Sequence, residues 1–395
     1  MNGRKCDIAV VGGGLSGGLI ALALTRKRPE LDILLVEQGD TLGGNHRWSW
    51  FESDLPDGGS DLLGTFRKTS WDDGYDVKFP EHSRTLDATY RSLSSDDFDA
   101  ALRRELPEGS VLTGVGAGKL DNTGLELSDG TPVTARSVID CRGITAAPNL
   151  EGGWQVFMGR HMRTDLPHGV TRPVIMDASV EQHGAYRFVY VLPLGADELF
   201  IEDTYYADSP ELDRRVLGAR IEAYCKDNGW SGEILGNETG VLPVITGGDF
   251  RAFQAANAAD GVTVAGARGG FVHPLTSYTL PQAVETALAI AEEADLPGAQ
   301  LSAVISARAS GLWRRTAFYR LLGKMLFRAG MPDERYRIFQ RFYRLAPDLI
   351  ARFYAARSTR GDQIRVLSGK PPVPIGGAIK AIFGSGNPLA KKEDK

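Results

Sequence analysis

The stretch Asp7-Ile8-Ala9-Val10-Val11-Gly12-Gly13-Gly14-Leu15-Ser16-Gly17-Gly18-Leu19 decides the fold. It reads as a buried strand, a glycine turn and the start of a helix. Gly12, Gly14 and Gly17 fit G-x-G-x-x-G, with Gly13 between them. In that pattern one glycine makes the tight turn, one lets a pyrophosphate approach the backbone, and one lets helix pack on strand. The helix N-terminus then offers free N–H groups and the positive end of its dipole to the phosphates. A second apolar run, Ile33-Leu34-Leu35-Val36, ends in Glu37. An acid is needed at about that distance for a ribose hydroxyl. Strand, helix and acid in register point to dinucleotide binding. A plain strand–turn–helix is the alternative.

Working outward, Gly43-Gly44-Asn45-His46 follows soon after Glu37, where the backbone must pass close to a long dinucleotide, and Gly44 is a candidate contact. Residues 45–85 show no clear period and read as irregular cover. Ser94–Leu106 reads as a helix capped by Ser95 and stopped by Pro107. Ser137–Gly143 is a further strand running into a glycine turn. From about Gly152 the texture changes to strands: Val174–Met176, Tyr186–Leu192, Glu198–Tyr205 and Ile234–Val244. A helix over Pro210–Asn228 is capped by Ser209. Gly261–Gly266 then resumes the first sheet and leads through Gly269-Gly270 and His273-Pro274 to a helix over Leu280–Ala294. From Ala299 on the chain reads as helical, ending in a loose tail from Pro371-Pro372-Val373-Pro374 to the final lysines.

The expected fold is therefore α/β: a Rossmann-like FAD-binding domain of the glutathione-reductase-like flavoprotein class, an inserted sheet-rich substrate domain and a helical C-terminal region. The boundaries are 1–150 with 260–297, 151–259, and 298–385. Leaving the sheet and resuming it far down the chain favours a flavin over a nicotinamide, because the isoalloxazine needs a late contact. Gly266 to Tyr278 is the candidate for it, with Gly266, Pro274 and Ser277 against the flavin; a simple loop before a helix is the alternative. No second G-x-G-x-x-G occurs, so a nicotinamide would bind only transiently.

Composition bounds the function. The 395 residues are 42% hydrophobic and 24% charged, with a formal charge of −5, which argues against a general nucleic-acid binder. Cys6, Cys141 and Cys225 form no C-x-x-C pair, so neither a disulfide framework nor a metal site is implied, and a reducing, cytosolic setting fits. No apolar run is long enough for a transmembrane helix, and the first strand begins too early to leave room for a signal peptide. Charge is uneven. Gly311–Arg357 holds eleven Arg and Lys, three Asp and Glu, and ten aromatic residues, a local balance of +8. A helix over Trp313–Arg328 would put Phe318, Leu321, Leu322, Met325 and Leu326 on one arc and Arg320, Lys324 and Arg328 opposite. Such a helix suits an anionic membrane surface or forms a lid packed on an acidic remainder.

Val11–Leu15 with Gly18–Leu22, Gly43-Gly44-Asn45-His46-Arg47-Trp48-Ser49-Trp50, Tyr90-Arg91-Ser92, Ile201-Glu202-Asp203-Thr204 and His273-Pro274-Leu275-Thr276-Ser277-Tyr278-Thr279-Leu280-Pro281 resemble the bacterial lycopene β-cyclases, in that order. The likeness runs over roughly residues 5–290, with G-G-N-H-x-W-S and I-E-D-T its specific parts. Ser277 stands where the family usually has Gly, and Cys141 where a small residue is expected. The resemblance implies a peripheral flavoprotein on the inner face of the cell membrane that closes the ends of lycopene into β-rings. It also implies reduced FAD as cofactor, NAD(P)H as transient reductant and no net redox change.

That chemistry needs a neutral acid in an apolar pocket, something electron-rich near a cation, and a base. Glu202 is the candidate acid; an ordinary surface carboxylate is the alternative. On an extended strand Phe200, Glu202, Thr204 and Tyr206 share one face, so Glu202 and Asp203 cannot enter one cavity together. His273 is either a base or the holder of the flavin loop. Trp48, Trp50, Phe200 and Tyr278 line a polyene tunnel or are plain core. A flavin monooxygenase or reductase of an apolar isoprenoid, and a non-enzymatic flavin-containing carotenoid-binding protein, are the competing functions.

Overall fold

The computed structural model describes residues 3–144, 147–369, 376, 381 and 384–390. Two sheets organise them. In the first, Arg4–Val11 lies between Ile33–Val36 and Pro132–Asp140, all parallel, with Val111–Leu112 beyond Ile33–Val36. Thr263–Val264 joins in parallel at Ile139 and Asp140, so the late segment does return to the first sheet. Both faces of such a sheet are covered, which is why its strands are continuous apolar runs. Helix Leu15–Lys27 is buried along Leu19–Leu24 on every side, and Phe98, Leu102 and helix Leu280–Glu292 share its core.

The second sheet is largely antiparallel. It runs Gly232–Gly248, Ala147–Thr164, Glu198–Ala207, Tyr186–Pro193, Val174–Asp177, Tyr75–Phe79, His82–Leu86. The last two strands form a hairpin docked parallel on Val174–Asp177. Residues 45–85 are therefore not irregular cover. Arg47–Phe51, Thr69–Trp71 and Tyr90–Ser94 make a third small sheet, and Tyr75–Leu86 extends the second. Tyr75, Val77 and Phe79 are buried while Asp76 and Lys78 are half-buried, an alternation too short to stand out from the polar residues around it.

Two helix starts differ by a few residues from the sequence reading. Ser94, not Ser95, is the cap, and its hydroxyl accepts from the Asp97 N–H at 3.1 Å. The later helix begins at Arg214 with Asp213 accepting from Arg215 and Val216, because a carboxylate nearer the helix displaces Ser209 as the cap. The expected helix over Trp313–Arg328 is two helices, Gly298–Arg315 and Ala317–Ala329, broken at Thr316. Arg320 does not face solvent. It is buried, lies 3.6 Å from the Trp313 ring centre and donates to Thr316 Oγ1 at 2.9 Å. Arg335 is likewise in the core, bonded to the Tyr206 and Phe327 carbonyls and to Asp208. Pro371–Pro374 and the terminal lysines lie outside the described residues.

Candidate active site

A cavity of about 960 Å³ runs from the first sheet to the second. Its near end is the glycine turn. Gly12 has φ +97°, and a Cβ there would lie 2.9 Å from the Cys141 and Arg142 backbone. Gly14 caps the helix without a side-chain bond, and a Cβ there would meet nothing within 4 Å, so open space faces the first helical N–H groups. Gly17 and Gly13 do not line the cavity. A Cβ on Gly17 would sit 1.9 Å from the Gly12 carbonyl, so its absence lets helix meet strand. The Gly13 N–H donates to Glu37 Oε2 at 2.6 Å. Glu37 reaches the cavity wall, with its other oxygen bonded to the Gly39 N–H. Gly44, Trp48 and Gly266 line the same space.

The loop after Gly266 supplies the opposite wall through Thr276, Ser277 and Tyr278. Ser277 has φ +59°, a left-handed conformation that glycine would adopt without the cost a Cβ brings. Its hydroxyl donates to the Pro243 carbonyl at 2.9 Å. Pro274 is not on the wall; its carbonyl accepts from the Ile245 N–H and ties the loop to the second sheet. His273 also stays off the wall. Nδ1 accepts from the Leu275 and Thr276 N–H groups, and Nε2 faces the Phe353 carbonyl at 3.3 Å. Burial pushes its pKa down to about 4, which keeps the ring neutral with its proton on Nε2.

The far end is carboxylic. Glu202 opens onto the cavity, accepting from Thr204 Oγ1 at 2.7 Å. Burial chiefly, then the neighbouring Glu238 carboxylate, pushes its pKa up to about 8. Asp203 leaves by the other face, fully buried, held by Arg187 Nε at 2.7 Å and the Tyr205 hydroxyl at 2.8 Å. Phe200, Trp48 and Tyr278 line the cavity, whereas Trp50 is wholly in the core. The Tyr190, Tyr278 and Tyr90 hydroxyls form a closed ring of three at 2.5, 2.9 and 3.1 Å.

The site contains residues the sequence did not single out. Glu238 is buried on the cavity wall, facing His46 Nδ1 at 3.3 Å and accepting from the Arg47 N–H at 3.1 Å. The Asn45 amide donates to the Asn237 carbonyl at 2.8 Å. The G-G-N-H stretch thus clips the glycine-turn end of the cavity to the second sheet. An acidic residue followed by Gly240, Val241 and Leu242 was the available signal, but an isolated Glu gives no period. A second, smaller cavity of about 130 Å³ lies beneath the C-terminal helices among Phe188, Tyr206, Leu322, Phe339 and Phe342. It shares Gln155, Tyr190, Thr276 and Tyr278 with the first.

This α/β fold is shared with solved structures that include a flavin-dependent brominase and a reductase-like protein. The structure aligns with a flavin-dependent brominase triple mutant at TM-score 0.61 and 16% identity, covering 93% of this chain and 96% of that one. It aligns with a geranylgeranyl bacteriochlorophyll reductase-like protein of Thermoplasma acidophilum at 0.57 and 13%, covering 96% of each. Residues 7–380 match the lycopene cyclase protein family, and the chain belongs to it. Relatives named lycopene beta-cyclase include those of Pseudescherichia vulneris, 43% identical over 98% of this chain and 99% of its own length, and of Pantoea ananas, 39% identical over 95% and 98%. Among the described residues no group of side chains could hold a metal ion.

Proposed function

We propose that the protein is a lycopene β-cyclase, converting the linear ends of lycopene into β-ionone rings, through γ-carotene to β-carotene, without net redox change. The observation that carries this reading is Glu202. Its carboxyl group opens onto the cavity whose other end is the glycine turn, in surroundings that favour the protonated form. A neutral Glu202 donates its proton to the terminal double bond. The next double bond attacks the resulting tertiary cation, and loss of a ring proton completes the β-ring. Thr204 orients the acid, and the phenyl face of Phe200 and the tyrosine wall shield the cation from water.

The residues at the near end fit FAD. Gly12, Gly14 and the free helix N-terminus would take the pyrophosphate, Glu37 a ribose hydroxyl, and Gly44, Gly266 and Ser277 the length of the molecule. A reduced flavin supplies an electron-rich ring that steadies nearby positive charge, with NAD(P)H as the transient reductant. His273 acts as the holder of the loop rather than as a base, because both ring nitrogens face backbone groups.

Substrate reaches the site from the membrane in this reading. No helix of the described residues is long and apolar enough to cross a bilayer. Helix Arg360–Leu367 instead exposes Ile364 and Leu367 beside Arg360 and Arg365, and Leu367 also lines the smaller cavity. That surface suits the interface of an anionic leaflet on the inner face of the cell membrane.

Expression in a lycopene-producing host tests the function. Pigment of unchanged mass carrying β-rings is expected, whereas added oxygen or hydrogen would indicate a monooxygenase or a reductase. Glu202→Gln should abolish turnover while sparing flavin and polyene binding; a carotenoid-binding protein would have no turnover to lose.

A further inference from the structure

Glu202 and Glu238 stand on the two strands that flank Ala147–Thr164 in the second sheet. Both pair in register with the same residue, Gly159 on the intervening strand: Glu202 from one side and Glu238 from the other. Residues paired directly across neighbouring strands project to the same face, so both carboxyl groups leave the sheet towards the cavity, and both line it. Between them the middle strand contributes no side chain. A Cβ on Gly159 would lie 2.3 Å from the Phe200 ring, so the phenyl group occupies that place and floors the space between the two acids. The Arg47 guanidinium stands 5.5 Å from the centre of the same ring.

The two environments differ in kind. Glu202 has one neutral hydroxyl partner, Thr204. Glu238 has the Arg47 N–H on one oxygen and the His46 ring on the other, with the Arg47 cation close by. The titratable and charged groups around it are Glu202, His46 and Arg47, and Arg47 also feels Asp96 and Asp97. Two carboxyl groups in one apolar site do not both ionise readily, and the donors gathered around Glu238 suit it to receive a proton rather than to start with one to give.

We infer that Glu238 is the base of the cyclisation, taking from the new ring the proton whose loss fixes the position of the double bond, while Glu202 supplies the proton that starts it. The step balances. The Glu202 O–H bond breaks and a C–H bond forms at the terminal alkene. The two ring carbons join, and the positive charge moves to the methyl-bearing ring carbon. Glu238 then removes hydrogen from the adjacent carbon of the newly formed bond, and that C–H pair becomes the β-ring double bond. One proton leaves Glu202 and one arrives on Glu238, so the pair ends with the proton it began with, on the other member. His46, half-exposed, connects Glu238 to solvent for the reset. This inference rests on the cyclase reading above and extends it to the choice of product.

A misplaced or missing base leaves the cation to lose a different proton, from the ring methylene or from the methyl group. These give ε- and γ-type ends instead of β. Glu238→Gln keeps an oxygen for the Arg47 N–H and removes the charge. Holoenzyme with reduced FAD and lycopene in anionic vesicles is assayed for ring products, rate against pH and melting temperature, with Glu238→Asp alongside. Glu238→Gln should turn over at least 100-fold more slowly, yield a measurable fraction of ε or γ ends, and lose its alkaline rate limb at a lower pH than the parent, since Glu202 no longer faces a negative neighbour. Glu238→Asp should restore β ends in excess. Three results overturn the assignment: Glu238→Gln within threefold of the parent rate; slower turnover with product ratio and alkaline limb unchanged, the mark of a structural role; or, if Glu238→Gln does not fold, Glu238→Thr, which has no carboxylate, giving parental rate and product ratio. A parent enzyme that forms no rings defeats the cyclase reading itself and is distinguished by that control.

Discussion

Glu202 and Asp203 are joined by a peptide bond and separated by the whole thickness of a sheet: one carboxyl group opens onto the large cavity, and the other is sealed beneath it against Arg187 and Tyr205. Their substitutions should therefore fail differently. Asp203→Asn strands a buried guanidinium, a change that costs about 3 kcal/mol or more. A chemical-denaturation midpoint should fall accordingly, with turnover per folded molecule within about tenfold of the parent. Equal, complete loss of turnover in folded Asp203→Asn would place the second carboxylate in the chemistry after all.

The raised pKa of Glu202 sets the sign of the pH response. Its acid form is the active one, so turnover should fall as pH rises through about 8. Stability should follow in the same direction. Between the ordinary carboxylate value near 4.5 and about 8 the folded protein holds a proton that the unfolded chain has released, so this group's contribution weakens as pH rises. Melting temperature against pH should show Glu202→Gln, which cannot titrate, gaining on the parent as pH rises towards 8.

His273 has the opposite sense. Its folded pKa of about 4 lies below the ordinary 6.5, so the unfolded chain binds the extra proton and stability is lost as pH falls from about 6.5 to 4. His273→Asn should flatten that acid decline. It should also weaken flavin binding roughly tenfold by loosening the loop, since three backbone contacts to the ring are lost. Turnover of flavin-saturated enzyme should stay within about threefold; a loss of 100-fold would restore His273 as a proton acceptor.

Ser277 is held at positive φ by its surroundings, a conformation costing of order 1 kcal/mol for a residue with a Cβ. Ser277→Gly relieves that cost and gives up the bond to the Pro243 carbonyl, so stability should change by less than about 1 kcal/mol. Ser277→Ala keeps the strain and loses the bond, and should melt lowest of the three. An alanine variant as stable as the glycine one would mean the backbone there is not strained.

Ile364 is exposed, so Ile364→Glu should leave the fold intact while reducing flotation with anionic liposomes several-fold. Recovery independent of lipid charge and of this substitution would remove the helix from any membrane role.

The first sheet was legible because each of its features is local. A glycine turn, a strand-end acid and a resumed apolar strand lie close along the chain or repeat a strong pattern. The pairing of Tyr75–Leu86 with Val174–Asp177 was not, since it depends on contacts nearly a hundred residues apart between short strands. At the site, the opposite faces of Glu202 and Asp203 follow from strand period alone. Glu238 does not, because its importance comes from a register shared through Gly159, and register is a property of three strands together. The placement of Arg320 was not legible for a related reason. Helical spacing shows which residues share an arc but not which arc is covered, and Arg320, Arg335 and Arg352 are spent on Trp313, backbone carbonyls and Asp362 within the protein.

Ala147–Thr164 begins a few residues after the first-sheet strand ends at Asp140 and forms the second strand of the second sheet. Neighbours on both flanks hydrogen-bond along most of its length. One strand therefore runs from the part of the cavity wall at Ala147 and Leu150 to Gly159 between the two acids. That stretch of the wall is a paired strand rather than a loop, so its length is fixed by its register. Variants that accept shorter or bulkier polyenes should accordingly arise from reshaping the walls, at Tyr190, Tyr278 or Phe339, and not from loosening a joint.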